Sequence, residues 1–201
     1  LLDNEARNQS LQYLREDVRA EFLQAMDTAQ LVAAAEKLDT DDFADILQQL
    51  PETITTQVLE NLDARDRARV ESVLSYPEDS AGGLMNTDTI TVRPRHTIEL
   101  VLRYLRLRKD LPKSTDSLIV VNSMDKYVGM LPLAKLLTSD PTVTVREIMA
   151  SDVPAIHVTE TDAAVAKIFS ERDLISAPVI DDKGLLVGRI TIDDVVDVII
   201  E

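Results

Sequence analysis

Residues 84–201 run through the same succession of elements twice, and this duplication limits the possible folds more than any composition does. Leu84-Met85 aligns with Ile148-Met149, and Ile90-Thr91-Val92 with Ile156-His157-Val158. A helical run from Thr97 to Arg108 aligns with one from Asp162 to Arg172. Leu118-Ile119-Val120-Val121 aligns with Ala177-Pro178-Val179-Ile180, and Tyr127-Val128-Gly129-Met130-Leu131 with Leu186-Val187-Gly188-Arg189-Ile190. Leu133–Leu137 and Ile192–Val196 close the copies as helices. Each copy therefore reads strand, helix, strand, strand, helix. Apolar runs of this length suit strands in sheets covered by helices. Asp125-Lys126 and Asp182-Lys183-Gly184 supply polar turns between paired strands.

The first part of the chain has a helical period instead. Leu11, Leu14, Val18, Phe22 and Met26 form one apolar stripe, and Leu31, Val32, Ala35 and Leu38 a second. Leu38, Leu50, Leu62 and Leu74 then recur every twelve residues, followed by Asp39, Pro51, Asp63 and Ser75, all helix-start or helix-stop residues. Short helices packed in antiparallel pairs, as in a piece of α-solenoid, satisfy that rhythm. The expected fold class is an all-α superhelical bundle of short helices followed by a duplicated α/β part.

Between the halves lies Tyr76-Pro77-Glu78-Asp79-Ser80-Ala81-Gly82-Gly83-Leu84-Met85. Pro77 has no amide hydrogen and disfavours helix for Tyr76. Gly82 and Gly83 lack a Cβ and permit unusual backbone angles or close approach. The segment reads either as a solvated linker or as a hinge. The expected divisions are a helical domain at 1–75, a hinge at 76–85, and the two copies at 86–144 and 145–201.

Composition narrows the function. The net charge is −15, which argues against nucleic acid, because phosphate backbones require a basic face. Residues 1–79 carry 18 acids and 7 bases, net −11, and residues 80–201 carry 18 acids and 14 bases, net −4. Two acidic bodies repel unless a cation lies between them. Aromatic residues make up 3% of the chain, so the cores must be aliphatic, and the absence of cysteine fits a reducing compartment. No apolar run is long enough to span a bilayer. A first residue of Leu1 and a last residue of Glu201 inside a helical pattern suggest a piece of a longer protein. No Gly-rich phosphate loop, nucleophile elbow or zinc spacing is present, so no enzyme is expected. His96 and His157 are isolated, and Arg103, Arg106, Arg108 and Lys109 form a basic helix face, solvated or paired with the acidic domain rather than a nucleic-acid site.

Three carboxylate or glycine clusters remain as candidates. Asp41 and Asp45 share a helix face one turn apart, read either as capping and solvation or as a cation pair. Asp194 and Asp197 stand three apart on the closing helix, either a solvated face or ligands. Gly188, Thr191 and Asp194 close the last strand of the second copy, where Thr191 and Asp194 can cap it into the final helix. The first copy keeps Gly129 but has Pro132 and Lys135 at the other two positions.

The duplicated half resembles a tandem pair of CBS domains, a Bateman module. The Gly188, Thr191 and Asp194 pattern resembles that family's nucleotide motif, in which the aspartate meets a ribose and the threonine faces phosphate. The whole order, acidic helices, the Tyr76–Met85 joint and the CBS pair, resembles the cytosolic part of MgtE-type magnesium transporters. That resemblance implies a homodimer joined through the CBS domains, a transmembrane pore domain elsewhere in the parent chain, and a place on the cytoplasmic side of the membrane. It implies Mg²⁺ as the bound cation, with Asp41, Asp45, the Gly83 carbonyl, Ser170, Asp173, Asp194 and Asp197 as ligands. Ala163 stands where the family can carry an acid. The implied function is Mg²⁺-bridged closure of the helical and CBS domains. The alternatives are a CBS module sensing ATP or AMP, and a passive helical scaffold.

Overall fold

The computed structural model describes residues 26–35, 37–108 and 110–200, leaving aside the side chains of Asp197 and Ile200. The expected stripe from Leu11 to Phe22 and the cation Lys109 lie outside the described residues. The chain divides into two compact units, residues 1–78 and 79–201.

In the first unit the twelve-residue rhythm becomes helix boundaries. Helix α1 spans Thr28–Ala35, α2 Thr40–Gln48, α3 Glu52–Asn61 and α4 Ala64–Leu74. Asp39, Pro51 and Asp63 occupy the N-caps of α2, α3 and α4, and Ser75 is the C-cap of α4. Asp63 is the explicit cap: its carboxylate accepts the amides of Arg65 and Asp66 at 2.8 Å each. Those two amides would otherwise be orphaned at the helix start. Leu31, Phe43, Ile46, Leu47, Val58 and Val70 are buried together, with Leu38, Leu50 and Leu74 packed against them. Each buried Leu, Ile or Phe contributes about 1.5–3 kcal/mol by leaving water.

The second unit holds two three-stranded sheets of the same design. The first copy contains β1 (Thr91–Val92), α5 (Ile98–Arg108), β2 (Ser117–Val121), β3 (Tyr127–Pro132) and α6 (Leu133–Thr138). A short α7 (Val145–Ile148) leads into β4 (Ile156–His157), α8 (Asp162–Arg172), β5 (Ser176–Ile180), β6 (Leu186–Thr191) and α9 (Ile192–Ile200). In each sheet the short strand runs parallel to the middle one, which pairs antiparallel with the third.

The hairpins of the two copies correspond position by position. Val92 pairs with Val120, and Ile156 with Val179, so the counterpart of Val92 is Ile156. The expected alignment of Ile90-Thr91-Val92 with Ile156-His157-Val158 is therefore two residues out of register. A slip of two keeps every strand side chain on its own face, so the apolar alternation alone could not detect it. Both hairpins carry a register shift at the same place, between Val120 and Val121 and between Val179 and Ile180. Left-handed residues recur too: Ser114 and Asp173 each have φ 50°, and Asp125 (φ 59°) answers to Gly184 (φ 75°).

The lead-in segments are exchanged between the copies. Asn86, preceding the first copy, pairs with Arg189 of the second, and Ala150, preceding the second copy, pairs with Met130 of the first. The Ala81 and Gly82 amides donate to the carbonyls of Glu160 and Val158 at 2.8 and 2.9 Å. Residues 79–85 of the expected 76–85 hinge thus belong to the second unit. Gly82 and Gly83 are buried rather than solvated. Close approach explains Gly129 and Gly188. A Cβ on Gly129 would lie 2.6 Å from the Ala150 carbonyl oxygen, and one on Gly188 would lie 2.7 Å from Met85 Sδ.

Candidate functional site

The second unit concentrates its polar chemistry where the two copies meet, at the Ser117–Pro132 and Ser176–Thr191 ends of the hairpins. The amide and hydroxyl of Thr191 both donate to Asp194 Oδ2 at 2.9 Å. This ring ends β6 and starts α9, and it is the capped-strand-end reading of these two residues. The first copy cannot form it, since Pro132 has no amide hydrogen and Lys135 carries no acceptor. Gly188 is accounted for by the passage of Met85.

Two residues that the sequence did not single out tie the copies together. The Asp116 carboxylate accepts the hydroxyls of its neighbour Ser117 and of Ser176 in the other copy. Arg189 is buried, with its guanidinium donating to the carbonyls of Lys113 and Ser114. Those carbonyls follow α5, where the first copy is five residues longer than the second. The one available signal was Arg189 itself, a charge in an apolar strand at the position of Met130.

The expected metal ligands are placed as follows. Asp41 and Asp45 stand one turn apart on α2, Asp41 buried and Asp45 half-buried, and both are engaged by neighbours. Gly83 is buried in the segment docked on the second copy, its amide donating to the Ser80 carbonyl at 2.9 Å. Ser170 is exposed on the last turn of α8, and Asp173 is that helix's exposed left-handed C-cap. Asp194 is half-buried on α9, and the Asp197 side chain lies outside the described residues. Among the described residues, no three His, Cys, Asp or Glu side chains gather closely enough to hold a metal ion. The carboxylates have the hard oxygen chemistry that Mg²⁺ prefers, and one or two per ion suffice when water completes the octahedron. Among the described residues, Asp41 and Asp45 have the donor chemistry for Mg²⁺ as a pair completed by water, and not as an enclosed cage.

Other titratable groups have structural roles. Burial, helped by nearby Asp152, pushes the Tyr127 hydroxyl up to about 12, and that hydroxyl donates to the Val153 carbonyl at 2.8 Å. His96 is held below its ordinary value by burial and then by the Arg95 and Arg93 guanidiniums. Of the expected basic face, Arg108 lies 3.7 Å from Asp88. No helix among the described residues is long and apolar enough to cross a membrane.

Comparison with known proteins places these features. Residues 1–79 match the MgtE intracellular N domain, and residues 81–140 and 145–201 each match the CBS domain. The chain is 36% identical over 162 residues to the magnesium transporter MgtE of Thermus thermophilus, covering 79% of this chain and 36% of that protein. It is 27% identical over 167 residues to the magnesium transporter MgtE of Bacillus subtilis, covering 83% of this chain and 37% of that one. The chain thus spans just over a third of the length of these relatives. Among solved structures, it is similar to the cytosolic domain of the Mg²⁺ channel MgtE in complex with ATP. That match has a TM-score of 0.89 and 33% identity, covering 98% of this chain and 86% of the other. The soluble part of a magnesium transporter shares the fold, with a TM-score of 0.86 at 24% identity, covering 98% and 83%.

Proposed function

The chain belongs to the MgtE family of magnesium transporters, through an N domain and a pair of CBS domains, and on that premise we propose that it is the Mg²⁺-sensing regulatory region of such a transporter. The observation that carries this reading is the match of 98% of the chain to a cytosolic domain of that family. In the full protein it works on the cytoplasmic side of the membrane, paired with a second copy through the CBS domains and joined to a transmembrane pore.

The charge distribution supports a cation as the signal. The N-terminal part is net −11 and the remainder net −4, so closure of one on the other is opposed until divalent charge offsets it. Bound Mg²⁺ supplies that charge, with Asp41, Asp45, the Gly83 carbonyl, Ser170, Asp173, Asp194 and Asp197 as its donors. Movement is confined to a short stretch around Pro77 and Glu78. On one side the Tyr76 amide is still bonded to Val73, and on the other Ala81 is already bonded to Glu160. The cation shifts the equilibrium only as far as its preference for the closed form allows.

Small-angle scattering tests this. Mg²⁺ should compact the chain, and K⁺ at matched ionic strength should not. Asp41→Asn with Asp45→Asn should raise the Mg²⁺ midpoint, as should Asp194→Asn with Asp197→Asn. Unchanged midpoints in both double variants would defeat the mechanism.

A second reading, nucleotide binding at Gly188, Thr191 and Asp194, is favoured by the ATP held in a similar structure. Calorimetry with ATP and AMP, on the native chain and on Asp194→Ala, decides it: no heat from the native chain removes the site.

A further inference from the structure

Some exposed cations in this acidic chain pair with a carboxylate, as Arg67 does with Glu71 at 2.7 Å and Lys167 with Glu171 at 3.7 Å. One place in the second unit instead gathers three guanidiniums around a concavity. Arg93, Arg95 and Arg146, with Pro94, Asn122 and Ser123, line a cavity of about 340 Å³. Two chain segments are fastened together there: the Arg146 amide donates to the Pro94 carbonyl at 3.0 Å, and the Val145 amide to the His96 carbonyl at 2.9 Å. The Arg93 guanidinium is fixed by Asp125 at 2.7 Å and by the Asn122 carbonyl. The Asn122 side chain in turn accepts the amides of Met124 and Lys126, which sets the turn. Arg95 and Arg146 are exposed, and no carboxylate among the described residues forms an ion pair with either.

Three guanidiniums around one concavity repel each other, and one carboxylate, on Asp125, answers them. A guanidinium presents planar paired donors that match phosphate oxygens, and an anion bridging two of them relieves the repulsion. The volume is at the lower end for small-molecule sites, enough for linked phosphates and too small for a folded peptide. We propose that this cavity binds a small, multiply charged phosphate compound, a diphosphate or the phosphate tail of a nucleotide, through Arg95 and Arg146 with Arg93 held ready by Asp125. The cavity sits at the Val121–Tyr127 end of the β2–β3 hairpin, the opposite end from Ser117 and Pro132. It is therefore distinct from the Thr191–Asp194 end and independent of the Mg²⁺ reading.

The test uses inorganic pyrophosphate as the probe, in Mg²⁺-free buffer, on the full 201-residue chain. Calorimetry should show one site, weakened at least about tenfold in the Arg95→Gln, Arg146→Gln double variant. Both side chains are exposed, so folding should survive, and circular dichroism checks it. Arg95→Lys, which keeps charge but loses the paired donors, should fall between. Proton NMR adds a local readout from the chain's two histidines: pyrophosphate should move the ring resonances of His96 and leave those of His157. No heat from the native chain overturns the proposal, and so does binding indifferent to the double variant. Binding lost in Asp194→Asn assigns the anion to the other end of the sheet and overturns it too. Co-sedimentation with phosphatidylinositol-phosphate vesicles, without pyrophosphate binding, overturns a soluble ligand in favour of a lipid headgroup.

Discussion

Adding one methyl group at Gly129 or at Gly188 should loosen the exchanged segments selectively, and the two sites should differ in degree. At Gly129 the new Cβ would meet the backbone oxygen of Ala150 at 2.6 Å, against an ordinary contact of 3.4 Å or more, so Ala150 must retreat by about 0.8 Å. Its reciprocal bonds with Met130, at 2.8 and 2.7 Å, would stretch beyond hydrogen-bonding range. Two bonds at about 1 kcal/mol each, with overpacking of about 1–3 kcal/mol, give a loss of roughly 3–5 kcal/mol. At Gly188 the nearest atom is Met85 Sδ, part of a flexible side chain, and the Asn86 backbone oxygen stands at 2.9 Å. Met85 is fully buried and can yield only partly, which gives about 1–2 kcal/mol. Native-state amide hydrogen exchange resolves the location. Gly188→Ala should lower protection at Ala81, Gly82 and Asn86, and Gly129→Ala at Met130 and Ala150. If Gly188→Ala changes stability by less than about 0.5 kcal/mol, or lowers protection uniformly, the close-crossing explanation is wrong.

Three smaller predictions follow from single side chains. Asp63→Ala should destabilise the helical unit by about 1 kcal/mol through loss of the α4 cap, read by urea denaturation, and Asp63→Asn should recover most of it. The raised Tyr127 hydroxyl ionises first in the unfolded chain. Its contribution is therefore intact below pH 10 and declines as pH rises from there toward 12, so Tyr127→Phe should flatten that part of the stability–pH curve. Arg95→Gln should raise the His96 pKa toward its ordinary value in an NMR titration, because one of the charges lowering it is gone. An unmoved His96 would leave burial, with Arg93, as the cause.

The architecture was legible because each copy writes its strands as apolar runs and its turns with Asp, Lys and Gly. The helix ends of the first unit were legible because Asp39, Pro51, Asp63 and Ser75 act locally, within a turn of their own position. What the sequence concealed was partnership across distance. Gly82-Gly83 reads as a hinge until the carbonyls of Val158 and Glu160 are seen to receive the neighbouring amides. Asp194 carried two functional readings and a capping one, and its carboxylate makes the cap with Thr191. Arg93, Arg95 and Arg146 went unremarked because some fifty residues separate Arg146 from the other two. Asp41 and Asp45 were placed correctly on one helix face, but their pattern carried no sign that Asp41 is buried.

The exchange of lead-in segments also sets an order of assembly that the like architecture of the copies would not suggest. Ala150 follows Met130 by 20 residues, so the first sheet gains its borrowed segment within a short loop. Asn86 and Arg189 are 103 residues apart, so the second sheet must recapture a segment made long before its own last strand. Closing a loop costs more as it lengthens, and distant pairings slow folding. During synthesis the first copy can mature on its own schedule, while Ser80–Asn86 waits for β6 to emerge. A chaperone or protease meeting the nascent chain would find that stretch uncovered, although it is buried in the finished protein.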